Sequence, residues 1–248
     1  MIDLSLSASP VEVQPVGTSL AKNNWRDSLD TLAATGFPLL AVGAGEERKP
    51  PADPATGHAL HGWQHASHTT SELKAAHPDV CSVGTRTGDG LLVFDIDGES
   101  ALSWLLERGC DPALTATWQI HRTTDAARLK VAFRLSRAQQ QQLGQFKRKV
   151  NTKAAVKSPE GEVLQKGEAV ELCHQPGSQV IVLGSHPSSG GHYYWPDQMG
   201  PEALATIPEC WWKAAHEIVE KLVTASHATS RTSKGDWKAL SDCPICGR

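Results

Sequence analysis

Apolar positions along this chain fall in short runs, separated by polar segments rich in glycine and proline. That pattern predicts many strands and a few short helices. Ser19 to Ala34 spaces its apolar residues as a helix and stops at Gly36. Phe37 to Gly43 reads as a buried strand, and Glu46 to His61 as a polar loop. Thr69-x-x-Glu72 is a capping box opening a short helix that ends before Pro78. Val80 to Arg86 and Gly90 to Ile96 are expected to pair as strands around the turn Thr87-Gly88-Asp89-Gly90. Glu99 to Arg108 is helical, with Gly109 as its C-cap. Thr117 to Arg122 and Leu129 to Leu135 form a second strand pair. Ser136 to Phe146 is a glutamine-rich helix, and the polar stretch to Gly167 is assigned no element. Three more strands follow, Glu168 to His174, Ser178 to Gly184 and His192 to Trp195, and then a helical region from Pro201 to His227. Mostly antiparallel pairs with interspersed helices make an α/β or α+β sandwich. The expected organisation is a flexible lead-in over 1–17, one main domain over 18–200, a helical segment over 201–227 and a loose tail over 228–248.

With 248 residues, 40% of them hydrophobic, the chain can build a real core. No apolar run approaches the roughly 20 residues that span a bilayer. The first residues lack the basic and apolar regions of a signal peptide, so a cytoplasmic protein is expected. Cys81, Cys110, Cys173 and Cys210 are expected to be buried, reduced thiols. Cys243 and Cys246, in DCPICGR, resemble half of a four-ligand zinc site, whose other ligands would lie elsewhere in the chain or, as is favoured, in a longer protein. The histidine run His58, His61, His65 and His68 reads as a surface loop rather than a zinc site. A net charge of −3 does not advertise nucleic-acid binding, yet positive charge is local. Lys147, Arg148, Lys149, Lys153 and Lys157 cluster, as do Arg122, Arg128, Lys130 and Arg134. Such stripes can hold a phosphate backbone, although a solvated face would look the same.

The sharpest chemical signal is Gly90 to Gly98, GLLVFDIDG. Strand alternation puts Asp95 and Asp97 on one face, about 7 Å apart by strand rise, with Ile96 on the other. Two carboxylates cannot be buried cheaply without a metal, a donor or a proton, and their oxygens suit Mg²⁺ or Mn²⁺ better than zinc. The bland alternative is capping of the next helix by Asp97 or Ser100.

Other motifs stand around this one in a fixed order. Phe37-Pro38-Leu39, Lys49-Pro50 and Gly62-Trp63 come first, then Val83-Gly84 and Thr87-Gly88. After the acidic strand come Leu129-Lys130-Val131-Ala132-Phe133, Val170-Glu171-Leu172, Ser185-His186-Pro187, Gly190-Gly191 and Tyr194-Trp195. From about Ala33 to Trp195 this order resembles the N-terminal domain of bifunctional DNA primase/polymerases, a branch of the archaeo-eukaryotic primase superfamily. The resemblance implies a primase-like fold, with mixed, largely antiparallel sheets and an RRM-like catalytic core flanked by helices. It also implies metal-dependent, template-directed nucleotidyl transfer in plasmid, phage or mobile-element replication.

On that resemblance Asp95, Asp97 and Glu171 are the metal-binding and catalytic carboxylates, for Mg²⁺ or Mn²⁺. Lys130, Arg86, Ser185, His186 and Lys49 would hold the dNTP or NTP. Arg122, Lys147, Arg148 and Lys149 would meet a single-stranded DNA template. A helicase, in the same chain or as a partner, is the implied associate. Two departures stand out: Glu171 replaces the usual aspartate, and Lys130 stands where a phosphate-contacting histidine is usual. Two rival functions stay open. One is a nucleic-acid-binding module that keeps the fold without catalysis. The other is an Asp-x-Asp phosphohydrolase, which would need a doubly wound parallel sheet.

Overall fold

A computed structural model describes residues 24–43, 51–144, 148–186 and 190–219. In chain order the elements begin with α1 (Leu29–Ala33), β1 (Leu39–Gly43), β2 (Pro51–Ala52), α2 (Thr70–Lys74), β3 (Val80–Arg86), β4 (Leu91–Asp97) and α3 (Glu99–Leu106). They continue with β5 (Gln119–Arg122), β6 (Arg128–Arg134), α4 (Arg137–Leu143), β7 (Arg148–Lys153), β8 (Val156–Lys157), β9 (Val163–Gln165), β10 (Glu168–Cys173), β11 (Gln179–Ser185) and β12 (His192–Tyr194). A helix over 209–219, α5, closes the described chain.

Ten of the strands form one sheet, in the order β2-β1-β3-β11-β12-β5-β6-β4-β10-β7, and β8-β9 is a separate hairpin. Every ladder between these strands is antiparallel. The fold is therefore mixed α/β, with a large antiparallel sheet and few helices. It is not the doubly wound parallel sheet that a phosphohydrolase would require.

The sheet bends so that its two halves share a core. Leu39 and Ala41 of β1, Val83 of β3 and Val180 and Val182 of β11 cluster with Leu91 and Val93 of β4, Ile120 of β5 and Ala132 of β6. Strand β5 makes the corner, pairing to β6 through Gln119 and Ile120 and to β12 through His121 and Arg122. On the other face of the β4 half, Leu92, Phe94 and Ile96 meet Ala101 and Leu105 of α3 and Trp211 of α5. Alternation along β4 feeds both cores from one strand.

The bend explains one departure from expectation. β3 and β4 are joined by the expected tight turn but do not pair, because β3 lies between β1 and β11 while β4 lies between β6 and β10. Gly88, Asp89 and Gly90 all have positive φ, at 102°, 49° and 93°, and carry the chain from one half to the other. β10 and β11 are likewise consecutive without pairing. A second departure is β7, in the segment expected to have no element. It is an edge strand, and edge strands are commonly charged and lack strong alternation.

Helix signals held more closely. Thr69 and Ser136 each make a complete capping box. Helix α3 differs, because neither Asp97 nor Ser100 caps it and the N-cap residue is Gly98. The free N–H of Ser100 is taken instead by Glu168 of β10, at 2.7 Å. Cys110 and Cys173 are buried as expected, whereas Cys81 and Cys210 are half-buried, and none of these cysteines is in a disulfide. No helix among the described residues is long and apolar enough to cross a membrane.

Candidate active site

The face of β4 that carries Leu91 and Val93 into the core continues past it as Asp95 and Asp97. The register then sets their neighbours. Glu171 of β10 lies directly across from Asp95, and Lys149 of β7 directly across from Glu171. On the other flank, β6 places Lys130 across from Asp95 and Arg128 across from Asp97. Directly opposed residues of antiparallel strands bring their Cβ atoms to about 4.5–5.5 Å. Residues scattered from 95 to 171 thus become one charged row across adjacent strands.

These side chains line a cavity of about 250 Å³ whose walls include Asp95, Asp97, Arg122, Arg128, Lys130 and Glu171. Lys149, His186 and Tyr193 complete its polar lining. Lys130 donates from Nζ to Asp95 Oδ1 at 2.6 Å. Arg128 donates from Nη1 to Asp97 Oδ1, and its Nε holds Asp125 at 3.0 Å. The Lys130 side chain is only 10% exposed, against 35% for Asp95. Burial by itself lowers the lysine's pKa, but the Asp95 carboxylate, with smaller help from Tyr193 and Cys173, more than reverses this and holds it above the ordinary lysine value. The ammonium lies 5.4 Å from the centre of the Tyr193 ring. Burial raises the Tyr193 phenol, and Lys130 opposes part of that rise. His186 stacks obliquely on the same ring at 5.5 Å.

Asp95, Asp97, Glu171, Lys130, His186, Arg122 and Lys149 are therefore brought to one place. Arg86 is not: its guanidinium donates to the carbonyls of Gln64 and Ala66, at 2.8 and 3.1 Å, and ties down a loop. Ser185 is outside the lining, sharing a hydrogen bond with His192 Nδ1 at 3.3 Å. Arg148 contributes its backbone to β7. Lys49, Lys147, Cys243 and Cys246 lie outside the described residues. Tyr194 packs on His121, and the Trp195 indole donates to the Val182 carbonyl, so neither lines the cavity. The aromatic that does is Tyr193. Alternation was the signal for it, since it points to the opposite face of β12 from Tyr194. The same rule points to Arg128, two residues before Lys130 on the same face.

The model of the family "Bifunctional DNA primase/polymerase, N-terminal" matches residues 29–210. The chain belongs to this family. No curated protein matches it. Membership links the Prim-Pol domain to DNA primase and polymerase chemistry, a nucleotidyl transfer with DNA and nucleotides as substrates.

By donor type the cavity fits the divalent ion that such transfer generally employs: three carboxylates and no soft ligand. As the side chains lie, Lys130 and Arg128 occupy Asp95 and Asp97. Among the described residues no three His, Cys, Asp or Glu side chains are grouped closely enough to hold an ion, the histidine run included. Binding a metal at Asp95 requires its ion pair with Lys130 to yield. Beside the cavity, a groove between α3 and β7 is lined by Ser100, Ser103, Trp104, Asn151 and Thr152, and Lys149 borders both spaces.

Proposed function

We propose that this Prim-Pol domain performs metal-dependent, template-directed nucleotidyl transfer on single-stranded DNA. The observation that carries this reading is the row Glu171–Asp95–Lys130 on adjacent strands, facing one cavity with Asp97, Arg122 and His186. The β4 half of the sheet, backed by α3 and α5, would then be the primase-like core.

Asp95, Asp97 and Glu171 would hold Mg²⁺ or Mn²⁺. When bound there, such ions supply Lewis-acid stabilisation to the attacking 3′-oxygen and the departing pyrophosphate. The rest is work for the chain's own side chains. Lys130, Arg122 and His186 line the cavity opposite the carboxylates and supply the positive donors that a triphosphate needs. Glu171 offers the same charge as an aspartate with one more methylene of reach. Tyr193 lines the same cavity with its ring 5.4 Å from the Lys130 ammonium, a cation–π distance. Lys149 borders both cavity and groove, so a template backbone passing from one to the other meets it. A replicative helicase is the partner this activity would serve.

The test is primer synthesis and extension on single-stranded DNA with Mn²⁺ or Mg²⁺. Asp95→Ala and Glu171→Gln should each lower the rate by about a thousandfold or more while the protein stays folded, as expected when a metal carboxylate is lost. Unchanged extension by either variant refutes the assignment. A second reading, a nucleic-acid-binding module without catalysis, is favoured by one observation: both aspartates already have internal counter-ions. It requires DNA binding that ignores chelators and Asp95→Ala, together with no extension by the native chain.

A further inference from the structure

Two acids two residues apart on β4 face two bases two residues apart on β6, each acid directly across from its base. The match is complete: Lys130 on Asp95 and Arg128 on Asp97. The two pairs differ in how firmly the cation is held. Arg128 is clamped by a second acid, since its Nε also bonds Asp125. A guanidinium held by two carboxylates has little reason to leave. Lys130 is held by Asp95, and its ammonium sits on a flexible four-carbon stem. A hard divalent ion and an ammonium compete for the same oxygen.

We propose that Lys130 is a built-in competitor for the metal, occupying Asp95 in the metal-free protein and swinging away as the ion binds. Resting on the carboxylate reading above, this adds that Lys130, and not the carboxylates alone, sets the metal affinity. Arg128 stays with Asp97 and Asp125 throughout, so the exchange is confined to the Asp95 side. The displaced ammonium stays in a cavity whose other side is Tyr193 and His186, and a phosphate group is the natural next partner for it. Metal and nucleotide binding are thereby linked through one side chain.

The experiment is a Mn²⁺ titration of the whole chain, without nucleotide, followed by electron paramagnetic resonance. Lys130→Gln should tighten Mn²⁺ binding by about tenfold or more, the equivalent of one lost charge-assisted bond. Lys130→Arg, which keeps the charge, should stay near the wild-type value. Lys149→Gln removes a charge from the same cavity and should tighten binding less than Lys130→Gln. Asp95→Asn should abolish the site. If Lys130→Gln binds no tighter than wild type while Asp95→Asn loses the ion, the competitor role is wrong and the carboxylate site stands. If Asp95→Asn binds as wild type does, or no variant binds Mn²⁺, the carboxylate site itself is wrong. A measurement on the wild-type chain needs no variant to fold. The ¹⁵N signal of the Lys130 ammonium should move on saturation with Mg²⁺, and an unmoved signal overturns the exchange.

Discussion

Replacing Asp95 by alanine should cost stability in a way that reverses with pH. The perturbation leaves the Lys130 ammonium, 10% exposed, without the oxygen 2.6 Å away that neutralises it. Removing one partner of a fully buried pair costs about 3–5 kcal/mol. Asp95 is itself 35% exposed, so water reaches the gap and screens part of that loss, leaving about 2–3 kcal/mol at neutral pH. In the native protein the Lys130 pKa is raised by Asp95. Its stabilising contribution is therefore fully present below the ordinary lysine value and is lost only as pH rises through the raised one. In Asp95→Ala the strongest upward influence is gone, and burial, the largest single influence on this group, lowers the folded-state pKa. The unfolded chain then holds its proton longer than the folded chain, and stability of the variant climbs as pH rises. The deficit against wild type should be largest near neutral pH and shrink toward pH 10. Urea unfolding followed by tryptophan fluorescence, at pH 7 and again near 9.5, measures it. Adding Lys130→Met to Asp95→Ala should restore about half of the loss or more, because an apolar residue replaces an orphaned charge. A deficit below about 0.5 kcal/mol at pH 7, or one that grows with pH, refutes the reasoning.

Two further outcomes follow from the same region. Gly98→Ala puts a methyl group at a φ of 118° and within 2.5 Å of Glu168 Cγ, whose carboxylate takes the Ser100 N–H at the start of α3. It should cost about 2 kcal/mol or more in urea unfolding, and a loss under about 0.5 would show that β10 and α3 give way freely. Cys110 is fully buried, and its thiol is pushed up to about 12 chiefly by that burial. It should stay unmodified by iodoacetamide at pH 8 in the native protein, as read by peptide mass mapping, and labelling at the rate of a free thiol refutes this.

The parts legible in the sequence are those set by local periodicity. Alternation placed Asp95 and Asp97 on one face, the capping box at Thr69 marked a true helix start, and the glutamine-rich run was read as a helix from Ser136. Glu171 and Lys130 came from the order of motifs, and both line the cavity. Pairing was less legible, because it depends on where the sheet bends. The turn at Thr87 to Gly90 looks like a hairpin, yet it links strands from opposite halves. Strand β7 escaped notice because its residues are mostly charged or polar, with Val150 the one aliphatic among them. Arg86 shows the limit of reasoning by charge alone, for its guanidinium is spent on two loop carbonyls.

The charged row itself argues for function. Read across the strands it runs Lys149, Glu171, Asp95, Lys130, with the two acids side by side. Like charges directly opposed across a ladder are destabilising, so the inner pair is a liability that the outer cations only partly offset. One step back along the same face the strands carry Cys173, Val93 and Ala132, which pack into the core with no charge to neutralise. Continuing that apolar pattern for one more residue on each strand would give a more stable protein, since well-packed apolar groups usually match or outdo buried ion pairs. A row that costs stability, faces a cavity and abuts an apolar core marks a place where the fold is shaped by something other than folding. Lys130 sharpens the point. In the metal-free protein its ammonium relieves part of the repulsion at Asp95, and a divalent ion bound by the same carboxylates would relieve it further and stabilise the fold.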